Sequence, residues 1–189
     1  MKRTISATLV AGMLTMPLAA SADRTDQYVN ESRAAVKSLF KTLKGNLVGA
    51  MKAGGPIKAI EACNLSAQPL TVAEAGRLGY DIGRTSLRLR NPVNEADAWE
   101  IKVLQQFEAR KSAGEDLKKM DYYEVVDSGG GKTFRYMKAI PAGKPCMVCH
   151  GDMVAPKVLE KIRSHYPLDQ ATGFKPGDLR GAFTISRKM

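Results

Sequence analysis

The sequence predicts an α+β domain: a small antiparallel sheet flanked by helices, with a long N-terminal helix. Three patterns predict it. Apolar residues recur at helical spacing over residues 24–53, two β-rich runs flank a glycine turn at 127–131, and the other strand-like runs alternate with helical ones. Helices first and mixed elements afterwards favour this arrangement over an all-helical bundle.

In the first run Val29, Val36, Leu39, Phe40, Leu43, Leu47 and Met51 line one side, with only Gly45 and Gly49 as weak points. Gly54-Gly55-Pro56 ends that helix, and Pro56 suits the start of a second one over 57–64. Cys63 then lies next to the Ile60 side, one turn beyond Ala59, and faces inward. A short alanine-rich stretch follows at 71–79. Residues 85–90 alternate as a strand does, and Asn91-Pro92 stops them as a structural turn. Asn94 reads as the N-cap of a helix over 95–109 that carries Trp99, Val103, Leu104 and Phe107 on one side. Residues 122–126 and 133–137 make a hairpin, followed by a helix at 158–165 and a last strand at 181–186.

The composition is that of one globular domain. With 44% hydrophobic residues there is enough apolar material for a core, and three cysteines are too few for a disulfide-stapled scaffold. Met1-Lys2-Arg3, an uncharged stretch and Ala20-Ser21-Ala22 form a secretory leader, with cleavage expected after Ala22. The remaining residues, 23–189, form a single domain without a transmembrane segment, expected in the periplasm. The leader takes two of the 29 basic residues, leaving 27 against 19 acidic and a net charge of +8. Export argues against a nucleic-acid partner. The surplus suits an acidic protein partner, whether redox or signalling, or acidic groups on a cofactor.

Cys146-Met147-Val148-Cys149-His150 is the informative motif, because C-x-x-C-H is the attachment sequence of a c-type haem. Two thiols at this spacing reach the two vinyl groups of one porphyrin, and the following histidine lies beneath the iron. One covalent haem c is the expected cofactor. A redox dithiol lacks its early strand–turn–helix context here. A structural zinc would draw its ligands from Cys63, Cys146, Cys149, His150 and His165.

The second axial position stays open on residue arithmetic: His165, Met51, Met120, Met137, Cys63 or no protein ligand at all. Met153 is too near His150 to reach the other face of the ring. Cys63 is the cysteine left over in an oxidising compartment, with an inert core thiol or an intermolecular disulfide as its alternatives.

Beyond the haem motif, residues 59–63, 84–94, 99–100, 146–151 and 166–182 together resemble a family of exported single-haem domains with a PAS-like fold, catalogued largely as of unknown function. The resemblance implies a PAS-like sheet, with haem iron held between His150 and the sulfur of Cys63. It also implies redox or diatomic-gas sensing rather than catalysis. Relatives carry this domain ahead of membrane and signalling modules. This chain ends at Met189, so the expectation is a sensor working through a partner, or a free-standing electron-transfer cytochrome. Arg88, Arg90 and Arg180 lie in the matching stretches and are the candidate contacts for the haem propionates. An oligomer is compatible with the long first helix, which could pair two subunits. A haem enzyme is disfavoured, since only His165 remains as a histidine for distal acid–base work.

Overall fold

The computed structural model describes residues 19–189; most of the expected leader lies outside them. The chain opens with α1 (Ala19–Leu78), which is two helical arms joined at Gly54 and Gly55. Gly55 has φ 69°, a left-handed conformation that glycine adopts without a Cβ clash. Pro56 follows as predicted, but the second arm continues unbroken to Leu78 instead of stopping at residue 64. Pro69 lies inside it, removing one backbone donor. The Thr71 hydroxyl donates to the Ala67 carbonyl at 2.7 Å nearby.

A four-stranded antiparallel sheet follows, in the order β1-β4-β3-β2: β1 (Asp81–Thr85), β2 (Asp121–Asp127), β3 (Lys132–Pro141) and β4 (Leu179–Lys188). The hairpin β2–β3 pairs Tyr123 with Tyr136 and Val125 with Phe134, as its pattern predicts. One sheet face meets α1. Val29, Val36 and Leu39 pack there on Ile82, Phe134, Tyr136, Phe183 and Ile185. The other face meets α2 (Ala98–Ser112), where Val103, Leu104 and Phe107 pack on Met120, Met137, Ala139 and Ala182. The alternation Phe134/Tyr136 against Met137/Ala139 follows from the two-residue period of a strand. The α+β architecture of a small sheet flanked by helices is therefore the one present.

Two local expectations are corrected. The strand predicted at 85–90 lies at Asp81–Thr85, so Arg88 and Arg90 sit on the loop that follows it. The Ser86 hydroxyl causes this: it bonds the Arg180 carbonyl at 2.8 Å and accepts from the Arg88 amide at 3.1 Å, competing with a continued ladder. The cap of α2 is Asp97, not Asn94. Asp97 and Glu100 form a reciprocal capping box, while Asn91 caps a 3₁₀ turn at Pro92–Asn94. Glu100, buried under α2, also accepts from Thr184 Oγ1 at 2.6 Å. Among the described residues no helix is long and apolar enough to cross a membrane.

Candidate functional site

The C-x-x-C-H segment follows β3 directly. A 3₁₀ turn, Lys144–Cys146, runs into the four-residue helix α3 (Met147–His150). Pro145 suits the start of that turn, and Gly143 donates its amide to Cys146 Sγ at 3.3 Å. Gly151 ends α3. A Cβ there would lie 2.7 Å from the Met147 carbonyl oxygen, so the sharp exit requires glycine. All three cysteines are free.

The segment 169–174 clamps this turn. Phe174 donates its amide to the His150 carbonyl at 2.9 Å, and Gly173 donates to Gly151 at 2.7 Å. His150 Nδ1 lies 2.7 Å from the Ala171 carbonyl oxygen. A carbonyl only accepts, so Nδ1 carries the proton and Nε2 keeps its lone pair. Burial pushes the His150 pKa down to about 3, with the positive charges of Arg180 and Arg90 adding to it, so the ring is neutral at ordinary pH. The rings of Phe174 and His150 meet in a T-shaped pair, centres 6.3 Å apart.

Arg90 holds the clamp together. Its Nε donates to Asp169 at 3.0 Å, and its Nη2 donates to the carbonyls of Cys149 at 2.6 Å and Ala171 at 3.1 Å. The pair is buried, with the Asp169 side chain only 3% exposed. Asp169 also accepts from the Ala171 amide, fixing the carbonyl that orients His150. Arg88 and Arg180 both lie over the Phe174 ring, at 4.1 and 5.3 Å.

The second arm of α1 faces this turn. Cys149 packs against Ile60, together with Val158, Ile162 and Tyr166 near or within α4 (Pro156–His165). Lys161 of α4 pairs with Glu61 at 2.8 Å, tying the two helices. Cys63, one turn from Ile60, is half-buried. Burial pushes its thiol pKa up, and the charges of Arg84 and Arg90 pull it down. The Cys149 thiol is likewise pushed up by burial, with Arg90 opposing and Cys63 and Cys146 adding to the rise. The fold thus gathers Cys63, Arg90 and the adjacent Cys149 and His150 from three separate stretches.

The other candidates for the second axial position lie apart from this group or have no defined role in it. Met120 and Met137 are fully buried under α2, on the sheet face opposite α1. His165 ends α4 with its Nε2 buried and unpartnered. Among the described residues no three His, Cys, Asp or Glu side chains converge as a metal site needs, so a structural zinc has no ligand set.

Three participants were not singled out from the sequence: Asp169, the Ala171 carbonyl, and Arg84. The signal for Arg84 was a charged residue two places from Ile82 in β1, on a face the sheet buries. Asp169 and Ala171 carry no local signal, since their role exists only once residues 169–174 return to the C-x-x-C-H turn.

The donor set fits the expected c-type haem chemically: two thiols at C-x-x-C spacing, an imidazole with a free Nε2, a third thiol on the facing helix and a surplus of guanidinium groups. Comparison with known proteins bears on the fold and family. No curated protein matches the chain. A solved structure, that of the cyanobacterial heme-protein Tll0287, superposes with a TM-score of 0.61 at 22% identity, covering 84% of this chain and 96% of that one. The family described as Tll0287-like matches residues 14–187, nearly the whole sequence, and the chain belongs to that family.

Proposed function

We propose that this chain is an exported c-type haem protein, held in the periplasm after cleavage following Ala22, that senses redox state or a diatomic gas and has no catalytic role. Cys146 and Cys149 would hold the haem through thioether bonds, and His150 Nε2 and the Cys63 sulfur are the groups that would ligate its iron. The observation that carries this reading is the 2.7 Å bond from His150 Nδ1 to the Ala171 carbonyl. It fixes the tautomer and the ring orientation in the way a metal-ligating histidine requires. The cyanobacterial heme-protein that shares the fold supports the same reading.

When bound, the group supplies a one-electron iron couple whose potential a thiolate ligand lowers, and a site for a small gas if a ligand leaves. The protein's own part is mechanical and electrostatic. Arg90 and Asp169 lock the attachment turn, Phe174 packs against the imidazole in a T-shaped pair, and the α1 arm presents Cys63 from the facing side. The basic surplus of the surface favours a second reading, an electron-transfer cytochrome docking an acidic partner. A sensor exchanges its second ligand on reduction, whereas a carrier keeps both.

The ferric absorption spectrum of the haem-loaded protein beside Cys63→Ser tests the assignment, with haem stain on a denaturing gel as the check of covalent attachment. A shifted main band and loss of the long-wavelength sulfur-to-iron band are expected in the variant. Matching spectra would reduce Cys63 to a core thiol and move the electron carrier ahead.

A further inference from the structure

Four guanidinium groups gather near the C-x-x-C-H turn: Arg84, Arg88 and Arg90 each bring positive charge to bear on Arg180, whose Nη1 donates to the Arg88 carbonyl. The carboxylate in their midst is Asp169, and it is taken by Arg90. Among the described residues neither Arg84 nor Arg180 has an acidic partner within ion-pair distance. Each also has a buried Nε with no hydrogen-bond partner. Arg180 gives only Nη1, to the Ser86 hydroxyl at 3.1 Å and the Arg88 carbonyl at 3.2 Å. Arg84 comes from β1, alternating with the core residue Ile82, where an apolar side chain would ordinarily stand.

Burying an unpaired cation is costly, and burying two within reach of each other is costlier still. A guanidinium fork whose Nε lacks an acceptor, as in both residues, matches a carboxylate, which takes two parallel bonds. The same accounting removes the other two arginines. Arg90 has committed its Nε and Nη2 to Asp169 and two carbonyls, and Arg88 is exposed on the Phe174 ring.

We propose that Arg84 and Arg180 are a carboxylate-anchoring pair, receiving the two carboxylates of a planar dicarboxylate cofactor held at His150, while Arg90 is a positioning residue that never touches it. The inference rests on the haem reading and deepens it, since haem carries two propionates. Two carboxylates on Arg84 and Arg180, with Asp169 on Arg90, leave only the exposed Arg88 of the four guanidinium groups without a counter-charge. The cluster is therefore self-repelling in the empty chain and compensated in the loaded one.

The test uses the full haem-loaded chain as wild type, Arg84→Met, Arg180→Met and Arg88→Met, with Arg163→Met on the exposed face of α4 as control. Covalent haem on a denaturing gel reports the underlying reading, and the propionate bending bands in the resonance Raman spectrum report the anchors. Each of Arg84→Met and Arg180→Met is expected to shift a propionate band while keeping covalent haem, and Arg163→Met to shift none. Thermal unfolding is a second readout. Both anchor variants are expected to melt lower than wild type when loaded, and not lower in a haem-free Cys146→Ser, Cys149→Ser background, where repulsion is relieved. If Arg84→Met does not fold, Arg84→Lys, which keeps the charge but not the fork, is expected to give the band shift. Unchanged bands in both anchor variants with haem attached overturn the pairing, as does a shift seen only in Arg88→Met. Absence of covalent haem from the wild type overturns the haem reading itself, and the pair with it.

Discussion

Asp169 is where a single atom has most leverage. Its carboxylate holds the Arg90 guanidinium and the Ala171 amide together, and Arg90 in turn holds the Cys149 carbonyl. Removing one partner of a buried pair leaves the other charge without compensation, which costs about 3 kcal/mol. Asp169→Asn is expected to lower stability by about that amount in a urea titration, and to reduce the fraction of chain carrying covalent haem on a stained gel. The second effect separates a loosened attachment turn from general destabilisation. A destabilising variant far from the turn keeps its haem fraction. Asp97→Ala is that variant: it removes the α2 cap and its ion pair to Arg135. A lost cap costs about 1 kcal/mol and the pair adds to it. Equal haem loss in both variants would show that the turn is not specifically held by Asp169.

At the scale of elements, the second arm of α1 is the part that can report the state of the site. It is separated from the first arm by Gly54-Gly55, and the first arm is anchored to the sheet through Val29, Val36 and Leu39. Ile60 and Glu61 hold the second arm to α4, and Cys63 is its proposed tie to the iron. The far end of this arm is held to the sheet core by Ala75 and Leu78, so residues 57–64, between the glycine joint and that anchor, are the part a lost sulfur–iron bond would loosen. Amides of residues 57–64 are therefore expected to exchange faster in ferrous than in ferric protein if reduction frees the sulfur, measured by hydrogen exchange with mass spectrometry. Equal protection in both states would rule out a redox-driven movement of this arm and favour the electron carrier.

At the scale of the whole molecule, charge ties α1 to the sheet. Asp121 of β2 accepts from Arg33 of α1 at 2.8 Å and from the Tyr136 hydroxyl at 2.9 Å. Burial raises the carboxyl pKa, but these two bonds and the Arg33 charge outweigh it, and the net shift is downward. Glu31 of α1 is lowered chiefly by its bond to Arg187 of β4. A carboxylate depressed by folding contributes stability above its unfolded pKa of about 4, lost as pH falls through the folded value. Stability is thus expected to fall below about pH 4. Asp121→Asn is expected to be less stable at neutral pH and to show a flatter decline across that window, followed by thermal melting from pH 6 to 2. An unchanged slope would mean that other carboxylates carry the acid sensitivity.

The residue order by itself determined the helix-then-sheet class, the Gly54-Gly55-Pro56 joint, the β2–β3 hairpin and the C-x-x-C-H motif. Each is local: periodicity, turn residues and a five-residue spacing act within a few positions of one another. The tertiary structure decided the rest. Whether 85–90 is strand or loop depended on Ser86 bonding the Arg180 carbonyl, a contact between residues 94 positions apart. Arg90 reads in the sequence as one of three equivalent arginines. Only the return of residues 169–174 makes it a structural clamp, with Asp169 taken up and Arg84 and Arg180 left without a carboxylate. Hydrogen-bond partners and buried charge are properties of the assembled fold, because desolvation acts only once distant segments close around a group.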